Sequence, residues 1–452
     1  MKNIIKYLSI ILLAVLGIYL RSSNLSGLTT FEWDQARDVG VMSDIIGGKP
    51  TLIGPVVRGE GSFFLGPLYY YLGSVALALG SGNPLGLAIL SLILDVSVGL
   101  ITYLYLAKRS RLQGILGSTI WMISPYLIKL AHVPWNVSLL SLWMITMIIL
   151  WDNIDHKSWY KYLFFLVAGF STHIHLSIVG VAGLLVLSRA KYFFSLTNKQ
   201  KLLSLFFLFL PLTPLLLFDL RHGFLNTHLL ISFLSGGTGH AELLIFVTTL
   251  LTKLDYTLSE LLVGSRVNYL GIASLVIALS SLLVTKASSL TKLCASILVF
   301  VPFMLIIYRD LGFAEYYFLP MFIPLILLLV TRLSAQTIPK KIFISLLIAF
   351  IIVSNLNERA IITEPFSLRV KQDIASYIVG YGDIINLRLE APPGRRDGIG
   401  YLLKTHGVSM QDEAPVIVVV TESDKIAVLL DRTDKLGEQV FGGLRVTIFG
   451  IQ

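Results

Sequence analysis

The 452-residue chain is 55% hydrophobic and 14% charged, where soluble domains carry about 25% charged residues. Together with repeated apolar runs of spanning length, this excludes a soluble globular protein and marks a polytopic membrane protein. The net charge of +9 lies mainly in short loops, so it reads as the positive-inside bias of a membrane protein and not as a nucleic-acid surface.

Residues 4–20 follow Lys2 and Lys6 and read as an uncleaved first span entering from the cytoplasm. A long polar loop, 21–84, comes next. Within it, residues 63–80 are apolar but short and glycine-bearing. Counted as a span, they would place Lys108, Arg109 and Arg111 on the wrong face, so they are expected to form an interfacial or re-entrant helix. Segments 85–107, 112–130, 139–151, 162–171, 176–188 and 202–218 then alternate across the bilayer. Cys294, the single cysteine, lies in a later apolar run, which excludes an intrachain disulfide.

A second long external loop is expected over 219–268, with an amphipathic helix over 242–262 lying on the membrane surface. Spans over 269–284, 293–307, 316–330 and 342–354 complete a count of about eleven and leave the C-terminus outside. From 356 to 452 the composition changes. An amphipathic helix over 366–381 and strands over 415–421 and 444–449 predict a small external α/β domain. The expected fold is thus an all-α transmembrane domain, 1–355, followed by this α/β domain.

The chemistry concentrates in residues 31–71. Asp34 and Asp38 are four residues apart and share one helical face, with Arg37 beside them. A carboxylate at a membrane surface suits a general base, and an arginine suits a phosphate leaving group. The same spacing also describes a solvated ion pair on a loop helix. His173 and His175 point apart on a helix but share a face in an extended segment. They read as substrate contacts or as capped structural histidines. Arg221 and His222, after Asp219, read as phosphate contacts or as a loop anchor.

Trp135 and Asn136 suit either a site or an interfacial anchor. Arg309 is a further phosphate candidate beside Glu315. Asp95 falls mid-span, where an acid needs a buried partner such as Lys129, Arg309 or a tyrosine hydroxyl. Residues 392–398, Pro-Pro-Gly-Arg-Arg-Asp-Gly, form a surface turn with some capacity for anions. No nucleotide-binding loop, dinucleotide fingerprint or zinc ligand set is present.

The run Trp33-Asp-Gln-Ala-Arg-Asp38 lies on a long first external loop. It is followed by Ile53-Gly-Pro55, Gly66-Pro-Leu-Tyr-Tyr-Tyr71, Trp135-Asn136, His173/His175 and Asp219-Leu-Arg-His-Gly-Phe224. This pattern resembles the integral-membrane C-type (GT-C) glycosyltransferases, in the branch of protein O-mannosyltransferases and lipid A aminoarabinose transferases. The resemblance implies an undecaprenyl- or dolichyl-type phosphate monosaccharide donor. It also implies inverting transfer of a hexosyl or pentosyl group, on the external face of the cytoplasmic membrane, to a lipid, glycan or protein acceptor.

The family's first-loop acid maps onto Asp34. The second acid of its Asp-Glu pair is Gln35 here, which leaves Asp38 to share the catalytic work. Arg37, Trp135, Asn136, His173, His175, Arg221, His222 and Arg309 are the candidate substrate contacts. A divalent metal is left open and no nucleotide cofactor is expected. The rival readings are a lipid-linked glycan flippase or transporter, and a structural subunit of an envelope assembly.

Overall fold

The computed structural model describes residues 2–57, 62–235, 242–283, 287–308, 312–334, 364–426 and 433–451. Four described helices are long and apolar enough to cross a membrane: Leu85–Ala107, Asn198–Arg221, Ser289–Ile307 and Glu315–Arg332. Shorter apolar helices, Asn136–Asp152, Leu176–Ser188 and Leu270–Leu283 among them, pack around these. The expected span over 342–354 lies outside the described residues.

The first half is built from α1 (Lys2–Ser22), α2 (Leu25–Leu28), α3 (Trp33–Ile46), α4 (Leu68–Leu79), α5 (Leu85–Ala107), α6 (Arg111–Ile123) and α7 (Pro125–Ala131). The expected straight span 112–130 is instead α6 and α7, bent by 60°. Pro125 is the cause. It has no N–H to continue the helix, and it forces Ser124 out of helical backbone, to φ −59° and ψ 117°. The Ser124 hydroxyl then caps α7, accepting from Leu127 N at 3.4 Å. Helix α4 has 12 residues, about 18 Å of rise against a hydrocarbon core of about 30 Å. That length fits an interfacial or re-entrant element.

Asp95 lies midway along α5 and its partner is Arg21, at the end of α1, which the sequence reading had assigned to the loop. Lys129 and the tyrosines are not involved, and Arg309 lies outside the described residues. The Arg21 Nε donates to Asp95 Oδ2 at 2.6 Å. Its other nitrogens reach Met122 O at 2.9 Å and Trp121 O at 3.3 Å, at the end of α6. Trp121 Nε1 closes the set by donating to Asp95 O at 3.0 Å. Arg21 is fully buried and Asp95 is mostly buried, and the pair joins α1, α5 and α6.

The C-terminal part is a mixed five-stranded sheet in the order β2-β1-β3-β5-β4. Its strands are β1 (Ile384–Leu389), β2 (Ser409–Met410), β3 (Val416–Glu422), β4 (Thr433–Phe441) and β5 (Leu444–Ile451). Two helices accompany it, α19 (Leu368–Val379) and α20 (Ile399–Thr405), where α19 follows α8 (Leu140–Asp152) through α18 (Leu319–Ser334). Strand β1 runs parallel to β2 and β3, while β3–β5 and β5–β4 are antiparallel.

Strands β3 and β5 are the two apolar runs expected from sequence. Strand β4 reads as polar because it is an edge strand, with Lys435 and Glu438 keeping the edge from further pairing. Its register shifts between Lys435 and Gly437. At Gly437 a Cβ would lie 2.3 Å from the Tyr381 hydroxyl, so only glycine allows this approach.

This unit docks on the first loop. Leu368 N donates to Thr29 O at 2.8 Å and Glu364 N to Gly27 O at 3.0 Å. Thr30 and Ser367 form a β-bridge, and the Tyr401 hydroxyl donates to Gly82 O at 2.7 Å.

Breaking the buried pair from one side leaves an uncompensated charge. Asp95→Leu or Arg21→Met alone is expected to lower stability by about 3–5 kcal/mol, whereas the double variant recovers most of it. Denaturant unfolding in detergent micelles measures both.

Candidate active site

Helix α3 starts where Glu32, in extended backbone at φ −112°, ends the strand-like run before it. The Gln35 side chain turns back and accepts from Glu32 N at 3.1 Å. Gln35 is buried. The residue that stands in place of the expected second acid therefore caps its own helix. Asp34 in the first turn favours the positive end of the helix dipole. Gly47 and Gly48, the latter at φ +87°, end the helix. Val39 and Met42 form its buried face against Tyr69 and Leu77 of α4. Met42 lies directly over Gly73, where a Cβ would come within 2.2 Å of its Cε.

The two acids bind one guanidinium. Arg37 Nη1 lies 2.9 Å from Asp34 Oδ1, and Arg37 Nη2 lies 2.7 Å from Asp38 Oδ1. The Tyr70 hydroxyl, from α4, also donates to Asp38 Oδ1 at 3.1 Å. The environments of the two acids differ sharply. The Asp34 side chain is 45% exposed and that of Asp38 is 1% exposed. Asp38 Oδ2 is buried and has no hydrogen-bond partner among the described residues.

Burial pushes the Asp38 carboxyl up to about 6, against the lowering effect of Arg37. For Arg37, burial alone would lower the pKa. The charges of Asp38, Tyr70 and Asp34 outweigh it and hold the guanidinium protonated, well above its ordinary range. Asp38 was read from sequence as a second catalytic acid. The structure buries it, and Asp34 is the more exposed of the two carboxylates.

A divalent metal does not fit between these acids. The Arg37 guanidinium already bridges them, and no cluster of three His, Cys, Asp or Glu side chains occurs among the described residues.

The remaining candidates scatter. His173 is a buried pin: its Nε2–H donates to Pro211 O at 2.6 Å, and its Nδ1 accepts from Leu68 N, at the start of α4, at 3.2 Å. A Cβ at Gly66 would meet this ring at 2.3 Å, which accounts for the glycine in the Gly66-Pro67 step. His175 caps α10 (Leu176–Ser188), with Nδ1 accepting from Ser177 N at 3.1 Å. Its ring packs edge-on against Tyr316 and Tyr317.

Trp135 joins that aromatic cluster, its ring centroid 4.8 Å from Tyr316, with Nε1 unpartnered among the described residues. Asn136 Nδ2 donates to Ile174 O at 2.6 Å. Both histidines, Asn136 and the Trp135 ring thus hold the α9 (Tyr160–Gly169) to α10 connection against its neighbours.

Asp219 caps α14 (Leu225–Ser235), accepting from Asn226 N at 2.7 Å and Thr227 Oγ1 at 2.6 Å. It makes no ion pair with Arg221, which is exposed. His222 stacks on Phe218 at 4.2 Å and is also exposed. Arg309 lies outside the described residues.

Two residues escaped the sequence reading. Tyr70 was visible only as part of an aromatic run. Asn226 clamps the peptide of Phe64, with Phe64 N donating to Asn226 Oδ1 at 2.6 Å and Asn226 Nδ2 donating to Phe64 O at 3.2 Å. No local signal marks such a long-range clamp.

The raised pKa of Asp38 carries a stability cost with a defined sign. The folded protein holds the Asp38 proton more tightly than the unfolded chain. Stability from this group is therefore full below about pH 4 and is lost as pH rises through about 6. The size is about 3 kcal/mol for roughly two pKa units. Asp38→Asn is expected to remove this pH dependence and to be more stable than the unmutated protein above pH 6. Chemical unfolding between pH 4 and pH 8 checks it.

No protein-family profile and no curated protein matches the sequence. The fold does match solved structures. One is ArnT from Cupriavidus metallidurans bound to undecaprenyl phosphate, with a TM-score of 0.63 and 9% identity over 98% of this chain and 97% of that one. Apo ArnT from the same organism gives 0.59 and 11% identity over 97% of each chain. At such identities the likeness is one of fold. This chain thus has the fold of ArnT, and its described residues include four helices long and apolar enough to cross a membrane.

Proposed function

We propose that the protein is a membrane glycosyltransferase that moves a sugar from a polyprenyl-phosphate donor to a hydroxyl or amine acceptor at the external face of the cytoplasmic membrane. The observation that carries this reading is the Asp34–Arg37–Asp38 set, held on α3 of a chain with the fold of ArnT. The basic clusters at Lys108–Arg111 and at Arg189, Lys191, Lys199 and Lys201 support a cytoplasmic side for those loops and the N-terminus. The first loop and the C-terminal α/β domain then lie outside.

Asp34 is the exposed base. Its carboxylate accepts the acceptor proton as the acceptor oxygen or nitrogen attacks the anomeric carbon. The bond from that carbon to the phosphate oxygen breaks, and the polyprenyl phosphate leaves with the bonding electrons. A single displacement of this kind inverts the anomeric centre. Arg37 faces the charge that develops on the leaving phosphate, and its fixed orientation avoids reorganisation at that moment. Asp38 and Tyr70 hold Arg37 in place from the buried side. The apolar donor tail lies in the bilayer, which fits a chain with no nucleotide-binding loop.

The test is transfer from labelled polyprenyl-phosphate monosaccharides to envelope acceptors by protein reconstituted in lipid. Asp34→Asn is expected to lose at least about 100-fold in kcat with an unchanged unfolding midpoint. Arg37→Met is expected to lose a similar amount. Transfer by Asp34→Asn at the unmutated rate overturns the assignment, and transbilayer movement of lipid-linked glycan without transfer overturns the reaction class.

A further inference from the structure

Lys371 is the one lysine on α19, and it is fully buried. Its ammonium donates to three main-chain carbonyls: Phe31 O, Gly394 O at 3.2 Å and Asp397 O at 2.8 Å. Burial lowers its pKa to about 8, opposed by the charges of Glu32 and Asp397. A buried ammonium is an expensive way to join carbonyls that a neutral donor could also satisfy. What it joins is informative. Phe31 immediately precedes Glu32, the residue that starts α3, and lies three residues before Asp34. Gly394 and Asp397 belong to the Pro392–Gly398 turn of the C-terminal domain.

That turn is shaped around the start of α3. Gly394 and Gly398 have φ of +88° and +86°, a region closed to most side chains. A Cβ on Gly398 would come within 2.4 Å of the Phe31 ring, and one on Gly394 would touch Glu32 Oε2 at 3.8 Å. The turn is anchored to its own domain. Asp397 accepts from Gly394 N, Arg396 Nη1 donates to Leu389 O at 2.7 Å, and Arg395 pairs with Glu422. Phe31 is itself buried, edge-on to Tyr401 at 6.4 Å. Phe31, just before α3, is thus enclosed by α19, α20 and the turn.

We infer that Lys371 is a positioning residue for the transfer reaction, through which the C-terminal domain sets the N-terminus of α3 and so the placement of Asp34. The inference rests on the reading of Asp34 as the base. The domain is then part of the catalytic unit and not an appended module. An error of an ångström in placing a catalytic group costs on the order of 100-fold in rate. Lys371 touches neither donor nor acceptor, so its loss acts on kcat and not on donor binding.

The experiment compares Lys371→Met with Gln372→Ala in the full-length protein reconstituted in lipid. Gln372, the next residue on α19, donates to Asn83 Oδ1 at 3.1 Å and supports docking through the loop after α4. Lys371→Met is expected to lower kcat at least tenfold, with donor KM within twofold of the unmutated value. Gln372→Ala is expected to leave kcat within twofold. An unchanged kcat in Lys371→Met overturns the inference, as does an equal loss in both variants, which would mark plain docking.

Hydrogen exchange on the unmutated protein gives a second arm that needs neither a folded variant nor a known substrate. Amides of residues 33–38 are expected to open together with those of α19 under mild denaturant. Independent opening overturns the coupling. A protein that shows this coupling but turns over no donor defeats the reading of Asp34 and leaves the coupling standing.

Discussion

The ion pair between Arg21 and Asp95 is the constraint from which the first loop departs. A guanidinium and a carboxylate inside a membrane bundle persist only when each satisfies the other and the remaining donors find acceptors. Arg21 meets that condition with Asp95 and two carbonyls at the end of α6. Because the arginine is the penultimate residue of α1, the pair determines where the helix stops and where the chain leaves the bundle. Everything that makes up the candidate site, from α2 to α4, hangs from that exit point. The bend at Pro125 serves the same region, since it brings His132 O to within 3.0 Å of Thr30 N, at the base of the loop.

From there the arrangement depends on two identical side chains being treated differently. Asp34 and Asp38 are one helical turn apart and bind one guanidinium, yet one is half in solvent and the other is closed off by α4. Burial raises the pKa of Asp38 and holds Arg37 rigid. Exposure keeps Asp34 open to an incoming group. This division of labour, a sacrificed inner acid supporting an accessible outer one, is a stability cost located at the proposed site of chemistry. Helix α4 supplies Tyr70 and is itself placed by His173, whose ring accepts from its first N–H. His173 therefore acts on the site through main-chain geometry.

The C-terminal domain enters the same chain of dependence at the N-terminal end of α3. Its sheet is a self-contained mixed layer, but its docking surface combines backbone hydrogen bonds to Gly27 and Thr29, the Lys371 carbonyl cluster and the side chains of Tyr401 and Gln372. Backbone contacts of this kind tolerate side-chain divergence.

Much of this was legible in the sequence, and the reason is periodicity. Apolar runs such as Leu85–Ala107 and Leu176–Ser188 have the observed bounds because the bilayer reads only hydropathy and length. The i, i+4 acids on α3 and the apolar strands β3 and β5 are likewise local patterns. The sequence by itself thus determined the membrane class, the loop that bears the acids and the α/β tail. What only the tertiary structure decided were contacts between residues distant along the chain. These are Arg21 as the partner of Asp95, 74 positions away, the Asn226 clamp on Phe64, 162 positions away, and Lys371 on Phe31, 340 positions away. The same holds for burial, which separates Asp38 from Asp34. A carboxylate carries no local mark of the dielectric it will meet, because that depends on which other helix is folded against it.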